Sequence, residues 1–552
     1  MKRYLNSVFL ALIIFLSFFL RIYRLDNLEL FGDEIDVGYQ AYSVLKTARD
    51  YRGNFLPFYM ESFSESRAPL FLYSAVPFIK IFGLNEWGVR LPAVFWGVLG
   101  IVFLYLLVKL LFKDSKTALI SSLLLSVSYW HLHYSRAAFE VTLLLFLVLS
   151  GTYFFLKGEK RRVFYYFSAF CFALSFYTYN TANVFVPLWG LSLVILSLKE
   201  TKKLKPLLLP GFVFFLAVLP LGFKVLNGQA SDRFSKISIF SDPASINWII
   251  KKRSSGDNSL KERFFYNKLT RFSYKFGENY LTSFSPQFLF ISGDPNPRHS
   301  VPGFGMFPWA FLPLLLLGIY FSLKKFDQKE HKFLWLWLAF SPLASALTAE
   351  GGNQATRLFL MLPAFVVLMA LGVKQALSLK FGKVLVLGFA MLLIFNIFSY
   401  FHELFSHYSK DQFKYWHYGY KEITLALKES DCRRVYINNN HEPFLPRYLF
   451  WMKKDPAWFQ KKFEGDQGNQ DIGENFSGFK LEESFFGRVK EDDKLLAIKQ
   501  ILEEKDTCLI AFQKDEIPGD WNLKESKHEG INVLKLVKNP LGEPYIYLLK
   551  GD

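Results

Sequence analysis

Nine side chains in this sequence have the type and placement to do chemistry together. Asp33, Glu34 and Asp36 follow closely on a first apolar run, and Arg67 stands in the segment after them. Arg136 and Glu140 lie between two later apolar runs. Arg298 and His299 end the stretch Asp294-Pro-Asn-Pro-Arg-His, and Arg357 opens another apolar run after Glu350-Gly-Gly-Asn. A carboxylate can take a proton from an attacking hydroxyl. Arginines hold phosphate through charge-assisted, often bidentate, hydrogen bonds. The combination suits transfer of a group from a phosphate-bearing donor to a nucleophile. Each residue alone has a blander reading, because interfacial arginines snorkel and loop acids are solvated. The Asp294–His299 stretch is either a lid over such a site or a rigid surface turn. What favours chemistry is convergence on one side of the apolar blocks.

Those blocks set the architecture. Hydrophobic residues make up 51% of 552, Phe alone numbers 62, and charged residues are held to 20%, which excludes a soluble enzyme. Apolar runs at about 4–19, 90–112, 117–133, 138–156, 163–179, 183–198, 206–224, 303–323, 333–348, 357–374 and 384–400 read as eleven membrane-spanning helices. No cleavage site follows the first, so it reads as an uncleaved span. The charge balance, 65 minus 48 or +17, is concentrated in short loops such as Lys157-Gly-Glu-Lys-Arg-Arg162. All such loops fall on one side, the positive-inside pattern, so the amino terminus is expected inside and the carboxyl terminus outside. The surplus thus reports topology, and no nucleic acid partner is implied. Two outer segments, about 26–89 and 227–302, mix aromatics and charges at near-helical spacing and read as interfacial amphipathic helices. Residues 1–400 therefore form a membrane domain with two long outer loops. The chemistry, if any, sits on the outer face.

After residue 400 the apolar blocks stop. A helix over 418–428 and strands at 434–437, 508–512 and 531–537 predict a small external α/β domain over 401–552. Cys432 and Cys508 each flank a predicted strand on the oxidising side; they form a disulfide or stay a reduced pair. Asn438-Asn-Asn-His441 follows a strand, where a structural cap is the favoured reading over ligand recognition.

Gly32-Asp-Glu-Ile-Asp36 after a first span, then Arg67-Ala-Pro-Leu-Phe-Leu-Tyr73, resembles the membrane glycosyltransferases of the GT-C fold, in particular the protein O-mannosyltransferase and aminoarabinose transferase group. Ser135-Arg136-Ala-Ala-Phe-Glu140 and Ala355-Thr-Arg357-Leu-Phe-Leu-Met-Leu-Pro363 resemble later elements of the same group, so the likeness spans roughly residues 1–400. It implies a polyprenyl-phosphate sugar as donor and transfer, with inversion, to an acceptor glycan, lipid or protein at the outer face of the bilayer. By position, Asp33 would be the base, and Glu34 would orient the site or share that role. Arg67 and Arg357 would bind the donor phosphate, while Arg136 and Glu140 would buttress the site or touch the sugar. Arg67 stands where the group has Lys or His, and Glu140 where Asp is usual. The resemblance implies no certain cofactor and leaves a divalent metal open.

The alternative from another class is a transporter or flippase of a lipid-linked or amphipathic solute. It predicts ionisable residues near the midplane of several spans, whereas here they cluster at one face. A non-catalytic receptor leaves the Asp33, Arg67, Arg136 and Arg357 set unexplained. No retention signal is seen, which points to the cytoplasmic membrane of a prokaryote.

Overall fold

A computed structural model describes residues 2–551 apart from 63–65, 227–235, 258, 464–469, 473–474, 491–492, 518, 520–521, 527 and 529. The membrane half begins with α1 (Lys2–Ile22), α2 (Gly32–Thr47), α3 (Leu70–Phe82), α4 (Glu86–Phe112) and α5 (Ser115–Val127). It continues with α6 (Tyr129–Tyr134), α7 (Val141–Gly158), α8 (Val163–Phe176), α9 (Ala182–Thr201) and α10 (Lys205–Leu226). Seven helices among the described residues are long and apolar enough to cross a membrane: α1, α4, α7, α9, α10, Ala355–Leu377 and Gly382–Asp411. Helices also fill the other expected places. There α5, α8, Phe311–Lys324 and Lys329–Phe340 run 12–14 residues, about 20 Å against a hydrocarbon core of about 30 Å. Length and hydropathy thus support seven spans by themselves, against the eleven expected. The run expected over 117–133 is broken at Ser128, whose extended backbone separates α5 from α6. α3 is an apolar helix inside what reads from sequence as an outer loop.

Two contacts fix the bundle. Asp114 caps α5 by accepting from the Lys116 N–H, and it takes the Lys374 ammonium at 2.7 Å. This ties together two of the basic loops that the charge pattern placed on one side. Phe311–Lys324 and the helix through Gly372 cross where neither backbone carries a side chain. A Cβ on Gly318 would lie 1.8 Å from the Leu368 carbonyl oxygen, and one on Gly372 would lie 2.0 Å from that of Leu314. Small residues at such a crossing let the backbones meet.

Beyond the first long outer loop, the second carries helices Pro243–Ser255, Leu260–Phe265 and Lys268–Thr282. Leu260, Phe264, Leu269 and Leu281 are exposed on them. The start of that loop, 227–235, lies outside the described residues.

The carboxyl-terminal sheet has seven strands. They are β3 (Arg434–Asn438), β4 (Gln470–Asp471), β5 (Phe476–Leu481), β6 (Ser484–Val489), β7 (Thr507–Phe512), β8 (Asn532–Lys538) and β9 (Pro544–Lys550). Their order is β4-β5-β6-β3-β7-β9-β8, with β6, β3 and β7 parallel at the centre and antiparallel pairs on both flanks. One face packs on Ala497, Ile498 and Ile501. The other joins Ile35, Val37 and Tyr39 of α2 and Phe71 of α3 in a single apolar core with Phe444, Leu449 and Phe450. The carboxyl-terminal half is therefore built onto the segment that carries α2 and α3 and is no detached appendage. Gly38 marks the closest approach: a Cβ there would lie 2.4 Å from the Phe450 ring and 2.7 Å from Val89.

Cys432 and Cys508 are bonded, closing a sequence separation of 76. Such a loop is worth roughly 3–5 kcal/mol through the unfolded chain. Cys432→Ala is expected to lower the melting temperature in detergent, and reductant should do the same to the wild type. An unchanged melting curve in both would show that the cross-link constrains nothing. Asn438 and His441 turn inward to Asp515, each 3.0 Å from Asp515 Oδ2.

Candidate active site

The first helical turn of α2 divides its acids between two environments. Asp33 and Asp36 are three residues apart and share a face, while Glu34 lies about 100° around the helix. Arg67 reaches the first face from a two-residue hairpin, β1 (Met60–Glu61) paired with β2 (Ser66–Arg67). Its guanidinium lies 2.6 Å from Asp33 Oδ1, 3.6 Å from Asp36 Oδ2 and 3.6 Å from Glu140 Oε1. Arg67 is 7% exposed and Asp33 is 52% exposed, so the arginine is a buried post and the aspartate its open end. Burial pushes the Asp36 carboxyl up to about 6 against the opposing pull of Arg67.

Glu34, expected at the reacting centre, faces the other way and is fully buried. It forms a fork with Arg90 at 2.8 and 2.7 Å and accepts the Ala138 N–H at 3.0 Å. Arg90 spends its remaining donors on the carbonyls of Leu25, Leu28 and Glu29. Every guanidinium N–H is thereby used, which marks a structural clamp. Arg136 also stands apart from the cleft, donating to the carbonyls of Leu20, Arg21, Tyr23 and Arg24. Leu20 and Arg21 lie in the last turn of α1 and Tyr23 and Arg24 just beyond it, so Arg136 caps and buttresses that end.

The second wall comes from the far half of the chain. Asp294 accepts the Ala355 N–H at 2.7 Å and the Asn296 N–H at 2.8 Å. It starts the helix that presents Thr356 and Arg357, and burial raises its carboxyl to about 6. Arg357 donates to Thr348 Oγ1 at 2.6 Å and has no carboxylate within ion-pair distance among the described residues. His299 lies against Tyr134 and Phe139 and 3.4 Å from Thr356 Oγ1. Burial lowers its imidazole to about 3, so it is a neutral wall and not a cation at ordinary pH. Arg298 points away, to the Tyr415 carbonyl and the Phe31 ring.

Asp33, Arg67, Glu140, His299 and Arg357 thus line one cleft with about 740 Å³ of empty volume. Tyr59, Thr178, Tyr179, Asn180, Gln354 and Thr356 complete it, and the reading of the sequence missed them. Thr178 to Asn180 are a polar break between α8 and α9, the one signal that pointed to them. Below, α7 to α10 enclose an apolar groove of about 670 Å³, lined by Phe155, Phe172, Val186, Leu191 and Phe214. No group of three or more His, Cys, Asp or Glu arranged to hold a metal ion occurs among the described residues.

His417 links this cleft to the carboxyl-terminal half. His417 Nδ1 accepts the Gly32 N–H at 3.1 Å and a bond from Arg447. Its Nε2 therefore carries the proton and faces Glu442 Oε1 at 3.2 Å. Gly32 is the residue before Asp33. Nearby, Glu29 accepts the backbone N–H groups of Gly419 and Lys421.

Residues 66–222, under a third of the chain, match the family model described as dolichyl-phosphate-mannose-protein mannosyltransferase. The whole chain superposes on ArnT from Cupriavidus metallidurans in the apo state, at 12% identity and a TM-score of 0.53, covering 98% of this chain and 97% of that one. The same protein bound to undecaprenyl phosphate gives 12% identity, 0.52, and the same 98% and 97%. No curated protein sequence is matched. This polytopic helical membrane protein with a carboxyl-terminal β-sheet domain has the GT-C fold. It resembles, in sequence and in structure, the mannosyltransferase and ArnT-like members of that fold.

Proposed function

We propose that this chain is a membrane glycosyltransferase that moves a sugar from a polyprenyl-phosphate donor to an acceptor nucleophile. The observation that carries the reading is a half-open carboxylate, Asp33, facing one cleft with Arg357, which has no carboxylate at ion-pair distance among the described residues, and an apolar groove on neighbouring helices. Thr178 of the cleft and Phe172 of the groove are six residues apart, just beyond and within the end of α8. The donor phosphate lies at Arg357 and its prenyl chain in the groove. Asp33 takes the proton of the acceptor hydroxyl as its oxygen attacks the anomeric carbon. The bond to the phosphate oxygen breaks with its electron pair, and Arg357 neutralises the charge that develops there. Attack opposite the leaving group inverts the anomeric centre.

Arg67 has a different task from the one expected. Three carboxylates surround its single charge, so it holds Asp33 in place and attracts phosphate less than Arg357 does. The cleft lies on the side opposite the basic loops, which is the outer face of a prokaryotic cytoplasmic membrane.

The test is titration of the purified protein in nanodiscs with undecaprenyl phosphate. Arg357→Ala is expected to weaken binding by roughly ten- to a hundred-fold, the worth of a hydrogen bond to a charged group. An unchanged titration would move the phosphate site away from Arg357.

A further inference from the structure

A second and larger cavity, with about 1170 Å³ of empty volume, lies behind the Asp294–Pro297 turn. Gln354 lines both this cavity and the cleft, so the two spaces meet at that side chain. Its walls come from the interfacial helix Lys268–Thr282, the proline-rich turn and the segment before Ala355. Part of that space is open to solvent; the water-accessible interior is about 610 Å³, in the range of sites that hold small ligands.

The lining sorts into used and unused polar groups. Asn279 spends its amide on the carbonyls of Ala346 and Thr348, and both Asp294 oxygens accept backbone N–H groups. The side chains of Glu350, Asn353 and Gln354 make no hydrogen bond or ion pair among the described residues. They offer both donors and acceptors. Pro295, Pro297 and Tyr415 add apolar faces beside them. The charge is lopsided. Lys275, the lining cation, is already paired with Glu278 at 3.1 Å, which leaves Glu350 unopposed. A phosphorylated or carboxylated ligand would meet uncompensated negative charge there. A neutral polyol finds amides and a carboxylate for its hydroxyls, and ring faces for its C–H surfaces.

We propose that this cavity is the acceptor site and that it takes an uncharged, polyhydroxylated glycan, presenting a sugar hydroxyl past Gln354 to Asp33. The assignment rests on the donor reading above. The step is the one written there: the acceptor O–H proton goes to Asp33, the new bond is a glycosidic C–O bond, and the lipid phosphate leaves.

The experiment uses the full chain in nanodiscs with a radiolabelled pool of polyprenyl-phosphate sugars from the source membranes. An envelope extract, divided by anion exchange into neutral and anionic glycan fractions plus a protein pellet, supplies the acceptors. Label is expected in the neutral fraction. Asn353→Trp, which fills the cavity, should raise the KM for that fraction by roughly ten-fold or more, with undecaprenyl phosphate affinity within about two-fold. Asn353→Asp, nearly identical in shape, should give a smaller rise and serves if the tryptophan variant fails to fold. Label in the anionic fraction or the protein pellet would overturn the proposal. So would a wild-type KM in both variants, or label in no fraction while undecaprenyl phosphate still binds. Loss of undecaprenyl phosphate binding by the wild type would instead bring down the donor reading beneath it.

Discussion

Asp33→Asn is expected to cut transfer by about 10²–10⁴-fold, the usual contribution of a positioned general base, while leaving the melting temperature near wild type. The carboxylate is 52% exposed, and the amide keeps its shape. Arg67 retains Asp36 and Glu140 as counter-charges, each at 3.6 Å, so the substitution strands no buried cation. What disappears is the group that the proposed mechanism makes the base. Turnover and undecaprenyl phosphate binding, measured together, separate the roles: binding should persist while turnover falls. Retention of most of the turnover would pass the role of base to Glu140, the other carboxylate lining the cleft.

Glu34→Ala is expected to damage the fold instead. Arg90 would keep its carbonyl partners and lose both carboxylate bonds in a site closed to water. Removing one partner of a buried pair typically costs about 3–5 kcal/mol. The expected results are poor accumulation in the membrane and a melting temperature several degrees lower for whatever protein is recovered. Glu34→Gln, which keeps the shape and one acceptor, should lie between. A wild-type melting curve for Glu34→Ala would mean that water reaches Arg90 and that the clamp is not structural.

These neighbouring residues show where the sequence stops being informative. Both are acids that follow a span, and composition cannot rank them. The helical period separates them by about 100°, but only the tertiary placement of Arg90 and Arg67 says which face is open. Long helices were legible because apolar blocks of about 20 residues have few other uses. One short helix was not: α3, 13 residues long, lies within what reads from sequence as a loop. In the external domain the predicted strands at 434–437, 508–512 and 531–537 lie within one residue of β3, β7 and β8. The reading missed β4, β5, β6 and β9 and with them the antiparallel flanks, although β5–β6 and β8–β9 are neighbours in the chain; Gly478 and Gly487 face each other in the first pair and weaken its strand signal. Asp33, Arg67, Glu140, His299 and Arg357 were recognisable by type and order. Asn180, Tyr59 and Gln354 carry no charge, and their place in the cleft depends on chain segments over a hundred residues apart.

The bond from Gly32 to His417, with α2 packed under Phe450, orders events during biogenesis. The ribosome makes Asp33 early, yet the helix that carries it is completed by residues that emerge after every span. Until the carboxyl-terminal sheet has formed and Cys432 has found Cys508, the first turn of α2 lacks one of its anchors. A chain whose last residues are still to be made therefore holds a first turn of α2 without its His417 partner. The last-made portion completes the anchoring of one of the first.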